Sequence, residues 1–85
     1  MKSILYESLV KITPVYNQQY DKLIELCKQY GQKIDLNSNS TICKSEDSSY
    51  ESLFSRMNFF IKQVKEINIE VQYSKIKSLV YFKNE

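Results

Sequence analysis

Between Tyr50 and Val64, the residues Tyr50, Leu53, Phe54, Met57, Phe60, Ile61 and Val64 recur at steps of three and four, while Arg56, Lys62 and Lys65 fall elsewhere. This spacing gathers the large apolar side chains onto one side of an α-helix, and such a face requires further structure to bury it. Ser48 and Glu51 have the spacing of a capping box immediately ahead of the stripe. A second helix is expected after Thr13-Pro14, because threonine caps well and proline suits a first helical turn. It would run through Tyr16, Tyr20, Leu23, Ile24, Cys27 and Tyr30 and stop at Gly31, the chain's one glycine.

Strand signals surround these helices. Residues 66–74 read Glu-Ile-Asn-Ile-Glu-Val-Gln-Tyr-Ser, an unbroken polar/apolar alternation, and residues 78–83 offer a further short strand. Lys33-Ile34-Asp35-Leu36 and Thr41-Ile42-Cys43-Lys44 flank the turn-forming run Asn37-Ser38-Asn39-Ser40. Residues 3–12 fit either period: Ile4, Tyr6, Val10 and Ile12 alternate, whereas Leu5, Leu9 and Ile12 suit a helix supported by a Glu7–Lys11 pair.

Two architectures follow. One is α+β, with two amphipathic helices on a small, mostly antiparallel sheet, like the split βαβ plan. The other is an all-α hairpin of a kinked helix 3–30 against a long helix 48–82. The second needs a long structureless link between its helices, and it splits its own apolar face near Asn68, where the stripe changes phase. The α+β architecture is therefore favoured, although one glycine is few for the turns it needs. A length of 85 residues with 42% apolar residues suits one compact domain spanning 1–85 with a thin stability margin. The Ser/Asn-rich acidic stretch 37–49 is expected to be its most mobile part.

Composition excludes more chemistry than it suggests. There is no histidine, which removes the commonest general base, the usual partner of a nucleophile and the commonest zinc ligand. Cys27 and Cys43 alone cannot complete a structural zinc site. A single glycine leaves no phosphate-cradling loop. The acidic residues Asp35, Glu46, Asp47 and Glu51 lack the alternating spacing around a glycine that calcium loops use. No enzyme activity, cofactor or metal is expected.

Apolar runs near the N-terminus are interrupted by Glu7 and Lys11, and no segment approaches the roughly 18 apolar residues of a membrane span. A cytoplasmic protein with reduced thiols is the expectation, with Cys27 a small core residue and a Cys27–Cys43 bridge the lesser alternative.

The function expected is protein binding: an assembly subunit, adaptor or inhibitor that acts through its surface, with a homodimer possible. Its partner-binding candidates are the acidic residues Asp35, Glu46 and Asp47 together with Arg56, Tyr73, Lys75, Lys77 and Tyr81. The alternative is a single-stranded nucleic-acid binder using the basic and aromatic residues Arg56, Lys62, Lys65, Tyr73, Lys75, Lys77 and Tyr81. A net charge of +2 is a weak signal for nucleic acid, whose binders draw affinity from neutralised phosphates.

Overall fold

The computed structural model describes residues 2–37 and 40–82, with side chains described for 4–36 and 40–79. Its elements in chain order are β1 (Lys2–Ile12), α1 (Gln18–Gln29), β2 (Lys33–Asn37), β3 (Ser40–Asp47), α2 (Tyr50–Glu66) and β4 (Val71–Phe82). The strands form one four-stranded sheet in the order β2-β3-β1-β4, with every neighbouring pair antiparallel. Each helix therefore joins two parallel strands that are separated by a third, which is the βαββαβ or ferredoxin-like plan. The α+β architecture holds, and the all-α alternative does not.

The ambiguous residues 3–12 become a strand because both of their faces are wanted. Ser8, Val10 and Ile12 are fully buried beneath the helices, and Leu9 lies on the opposite face. A helix would have spread these side chains around its axis. Val10, Ile12 and Cys43 from the sheet meet Leu23 and Cys27 of α1, Met57, Phe60 and Val64 of α2, and Ile69 just beyond it. Phe60 also meets Tyr30 edge-on, with ring centroids 6.2 Å apart, tying the two helices together.

Both helices end in the same way. After α1 the N–H of Gln32 donates to the carbonyl of Cys27 at 2.8 Å around Gly31, whose φ is +63°. After α2 the N–H of Ile69 donates to Val64 at 3.2 Å and that of Asn68 to Lys65 at 3.0 Å, with Asn68 at φ +63°. These are Schellman closures, and asparagine supplies the left-handed residue where glycine is absent. A Cβ at Gly31 would meet nothing within 4 Å, so only the backbone angle opposes it. Gly31→Ala is thus expected to cost about 1–2 kcal/mol in denaturant unfolding, with no other change in the fold.

Several sequence expectations are corrected. Helix α1 begins at Gln18 rather than at Pro14, because the N–H of Thr13 donates to the carbonyl of Glu70 at 3.1 Å and extends the sheet edge instead of opening a helix. The cap of α2 is Ser49, whose hydroxyl accepts from the N–H of Ser52 at 3.3 Å, one residue later than the expected Ser48. The two strands expected from residues 66–83 are one strand, β4, and residues 66–70 instead close α2. The strand expected at 41–44 is longer, running from Ser40 to Asp47 and pairing with β1 and β2 on either side. Of the expected turn before it, Ser38 and Asn39 lie outside the described residues, as does Lys83 at the end of the expected 78–83 strand.

Candidate functional site

Both helices cover the face of the sheet that carries Val10, Ile12 and Cys43. The other face is built by register. Across the strands, Lys33 stands opposite Lys44, Lys44 opposite Leu9, and Leu9 opposite Lys75. One rung on, Asp35 stands opposite Ile42, Ile42 opposite Lys11, and Lys11 opposite Tyr73. Leu9 is only 9% exposed although no helix covers it, and Lys44 and Lys75 stand opposite it on the two neighbouring strands.

On this uncovered face Lys44 pairs with Asp35 at 3.3 Å and Lys77 with Glu7 at 3.3 Å. Tyr73 is 45% exposed, with the ammonium groups of Lys11 and Lys75 lying 5.6 and 5.9 Å from its ring centroid. Tyr73, Lys75 and Lys77 therefore come together as expected from their alternation. Lys11 joins them and was missed by sequence reading, because its strand was ambiguous. Tyr81 lies on β4 in register with Ser3.

Arg56 belongs elsewhere. Reaching back from α2, its Nη2 donates to the Ser45 hydroxyl at 2.9 Å and to the Glu46 carbonyl at 3.1 Å, while its Nη1 meets Asp47 Oδ2 at 3.4 Å. Asp47 Oδ1 accepts from the N–H of Ser49 at 2.9 Å, which fixes the start of α2. The guanidinium thus staples α2 to the end of β3 and holds Asp47 in the same network. Arg56→Met keeps the apolar stem but strands the buried Ser45 hydroxyl. It is expected to lower unfolding stability by about 1–2 kcal/mol.

A cleft of about 400 Å³ lies beside this staple, lined by Glu7, Gly31, Lys33, Lys44, Ser45, Glu46 and Arg56. Three of its charged lining residues are paired with residues outside it: Glu7 with Lys77, Lys44 with Asp35 and Arg56 with Asp47. Neither cysteine lines it. Among the described residues, no three His, Cys, Asp or Glu side chains converge as metal ligands would.

A second surface emerges where β1 and β4 outrun the other strands. Pairing of β1 with β3 ends at Tyr6–Asp47, so residues 2–5 pair only with residues 79–82 and form a two-stranded arm. Ile4, on the helix side of that arm, is 47% exposed. Next to it Tyr6 meets Tyr50 edge-on at 5.4 Å, and Tyr50 stacks on Phe54 at 5.9 Å. A shallow groove of about 260 Å³ lined by Phe54, Ser55, Asn58, Phe59 and Lys62 carries this surface on to Phe59. Tyr50, Phe54 and Phe59 are 48%, 46% and 61% exposed.

Tyr50 and Phe54 thus leave the core that the helical stripe assigned them, since α2 buries only Leu53, Met57, Phe60 and Val64. The buried members form a narrow row along α2, and Tyr50 and Phe54 sit along one edge of it.

No helix among the described residues is long and apolar enough to cross a membrane. No family profile matches the chain, and no curated protein matches its sequence. Solved structures do match its fold. A VAO-type flavoprotein from Myceliophthora thermophila is similar with a TM-score of 0.56 at 12% identity, over 94% of this chain and 16% of that one. The chain thus spans a small part of the flavoprotein's length. A putative antibiotic biosynthesis monooxygenase from Chloroflexus aurantiacus is similar with a TM-score of 0.54 at 11% identity, over 95% of this chain and 96% of that one. At such identities the likeness is one of fold, and it leaves function to be argued from this chain's own surfaces.

Proposed function

We propose that this chain is a non-catalytic protein-interaction module, an adaptor, inhibitor or assembly subunit, that docks its partner on the aromatic surface at the start of α2. The observation that carries this reading is the group Ile4, Tyr50, Phe54 and Phe59, each about half exposed, with the partly buried Tyr6 meeting Tyr50 edge-on and Phe54 sharing a groove with Phe59. Soluble domains rarely leave several large apolar side chains together in water, and such patches mark interaction sites. Aromatic anchors carry much of the binding energy at such sites. The partner is a protein with an apolar surface, and a second copy of the chain is the other possible occupant.

Affinity capture from the native cell, run beside sedimentation of the purified chain, tests this reading. A stoichiometric protein partner or a dimer, lost on substitution of Phe54 and Phe59, supports it. A strictly monomeric chain that retains no protein ends it.

Tyr73 between Lys11 and Lys75 favours a second reading, single-stranded nucleic acid on the uncovered sheet face, with a base stacking on the ring and phosphates drawing the lysines. Such binding is strongest at low salt. A gel shift with single-stranded oligonucleotides at low salt that Lys11→Gln and Lys75→Gln abolish would support it, and no shift at micromolar protein would remove it.

A further inference from the structure

The chain has two cysteines, sixteen positions apart in sequence, and folding brings their sulfurs to 3.9 Å. Cys27 projects from α1 and Cys43 from β3, and both are buried free thiols, 3% and 0% exposed. Their sulfurs share a hydrogen bond. A disulfide needs the sulfurs about 2 Å closer still, a distance that small side-chain rotations can supply when the thiols already face each other.

We propose that Cys27 and Cys43 form an oxidisable dithiol that closes to an intramolecular disulfide under peroxide, clamping α1 onto the sheet. Nothing in the interaction reading requires this, since neither sulfur belongs to the aromatic surface.

The local architecture gives the bond something to do. Helix α1 joins the core through Leu23 and Cys27, and among the described residues its side-chain polar tie to the rest of the fold is Gln19, whose Nε2 donates to the Ile67 carbonyl at 3.3 Å. No covalent link holds it to β3. A Cys27–Cys43 bond would close the segment containing the end of α1, β2 and the β2–β3 turn, anchoring the helix to a strand that is paired on both sides.

The chemistry is ordered by the environment of each sulfur. The hydrogen-bonded contact with Cys43 draws the Cys27 thiol below its usual pKa. The same contact, together with burial, raises that of Cys43. Cys27, 3% exposed against 0% for Cys43, is the sulfur that peroxide meets first, and as a thiolate it attacks. Its thiolate displaces hydroxide from hydrogen peroxide, giving a Cys27 sulfenic acid, and the hydroxide takes up a proton as water. The Cys43 sulfur then attacks the Cys27 sulfur, the S–S bond forms, and a second water leaves carrying the oxygen and the Cys43 proton. The two sulfurs lose two electrons, and one peroxide is reduced to two waters.

The test treats the native full chain with hydrogen peroxide, then unfolds it in N-ethylmaleimide and measures the intact mass. The expected product is monomeric, 2 Da lighter by conversion of two thiols to one disulfide, and free of maleimide. Its thermal midpoint should rise by about 10–20 °C, returning on addition of dithiothreitol, as suits closure of a loop of about 16 residues in a small domain. Cys43→Ala should leave a Cys27 sulfenic acid, trapped by dimedone, and no midpoint rise. Two maleimides on the peroxide-treated chain, disulfide-linked dimers in place of the internal bond, or a bond that lowers the midpoint would each overturn the proposal. The wild-type measurement stands even if the variant fails to fold.

Discussion

Replacing Phe54 and Phe59 together with serine is expected to weaken partner capture at least about 30-fold while leaving the fold intact. The two rings are 46% and 61% exposed, so neither supports the core. Exposed substitutions remote from caps and buried networks usually change stability by about 0.5 kcal/mol or less, and serine and phenylalanine have similar helix propensity. At an interface the same rings become buried anchors, and truncating one such anchor commonly costs about 2 kcal/mol or more, which is roughly 30-fold in affinity. The check is quantitative mass spectrometry of captured protein against a circular-dichroism melt of both forms. Substituting Lys75 and Lys77, which lie on the uncovered sheet face rather than on the helix, should leave capture of a protein partner unchanged.

The opposite pattern is expected at Phe60. It is fully buried, packs among Val10, Ile12, Leu23 and Val64, and meets Tyr30 edge-on at 6.2 Å. Phe60→Ala removes that burial and leaves a cavity between both helices and the sheet, a change that costs about 3–5 kcal/mol. At about 4–8 °C per kcal/mol for a domain of this size, the thermal midpoint should fall by roughly 15–30 °C. A small domain has little stability in reserve, so the variant is expected to be largely unfolded at 37 °C. Phe59→Ala, one residue away and pointing outward, should melt close to the native chain. The pair measures directly which side of α2 is core.

That contrast also marks how far the sequence could be read. The helices were legible because Leu53, Met57, Phe60 and Val64 repeat along α2, as do Leu23 and Cys27 along α1, and all are buried. The sheet partners were legible as short alternations, and the split βαβ plan followed from their order. The boundaries were not legible. Ile67 and Ile69 continue the alternation of β4, but Ile69 is buried as part of the closure of α2, and a capping contact looks like a strand when only period is available. Thr13-Pro14 offers a good helix start, yet the N–H of Thr13 is taken by Glu70, a residue far along the chain.

The surfaces divided in the same way. Tyr73, Lys75 and Lys77 share a face because strands alternate, and that much is local. Arg56 was grouped with the basic and aromatic candidates by its charge, but its partners Ser45, Glu46 and Asp47 are brought to it by the β3–α2 turn. Tyr50 and Phe54 were assigned to the core because amphipathic spacing does not reveal how wide a stripe the sheet can cover. Here residues 2–5 of β1 run past β3 and pair with β4 alone, and Tyr50 and Phe54 near that end stay half exposed. The approach of Cys27 to Cys43 is likewise a product of topology, since nothing in their spacing places a helix thiol over a central strand.

A photoreactive phenylalanine analogue placed singly at Phe59 and at Tyr73 tests the central assignment most directly. Both positions are exposed, at 61% and 45%, and they lie on different surfaces of the molecule. Irradiation in the native cell should join a defined protein partner, or a second copy of the chain, at position 59 and leave position 73 unjoined. Crosslinks that form at 73 and not at 59, whether to protein or to nucleic acid, would contradict the aromatic surface at the start of α2 as the place where this chain meets its partner.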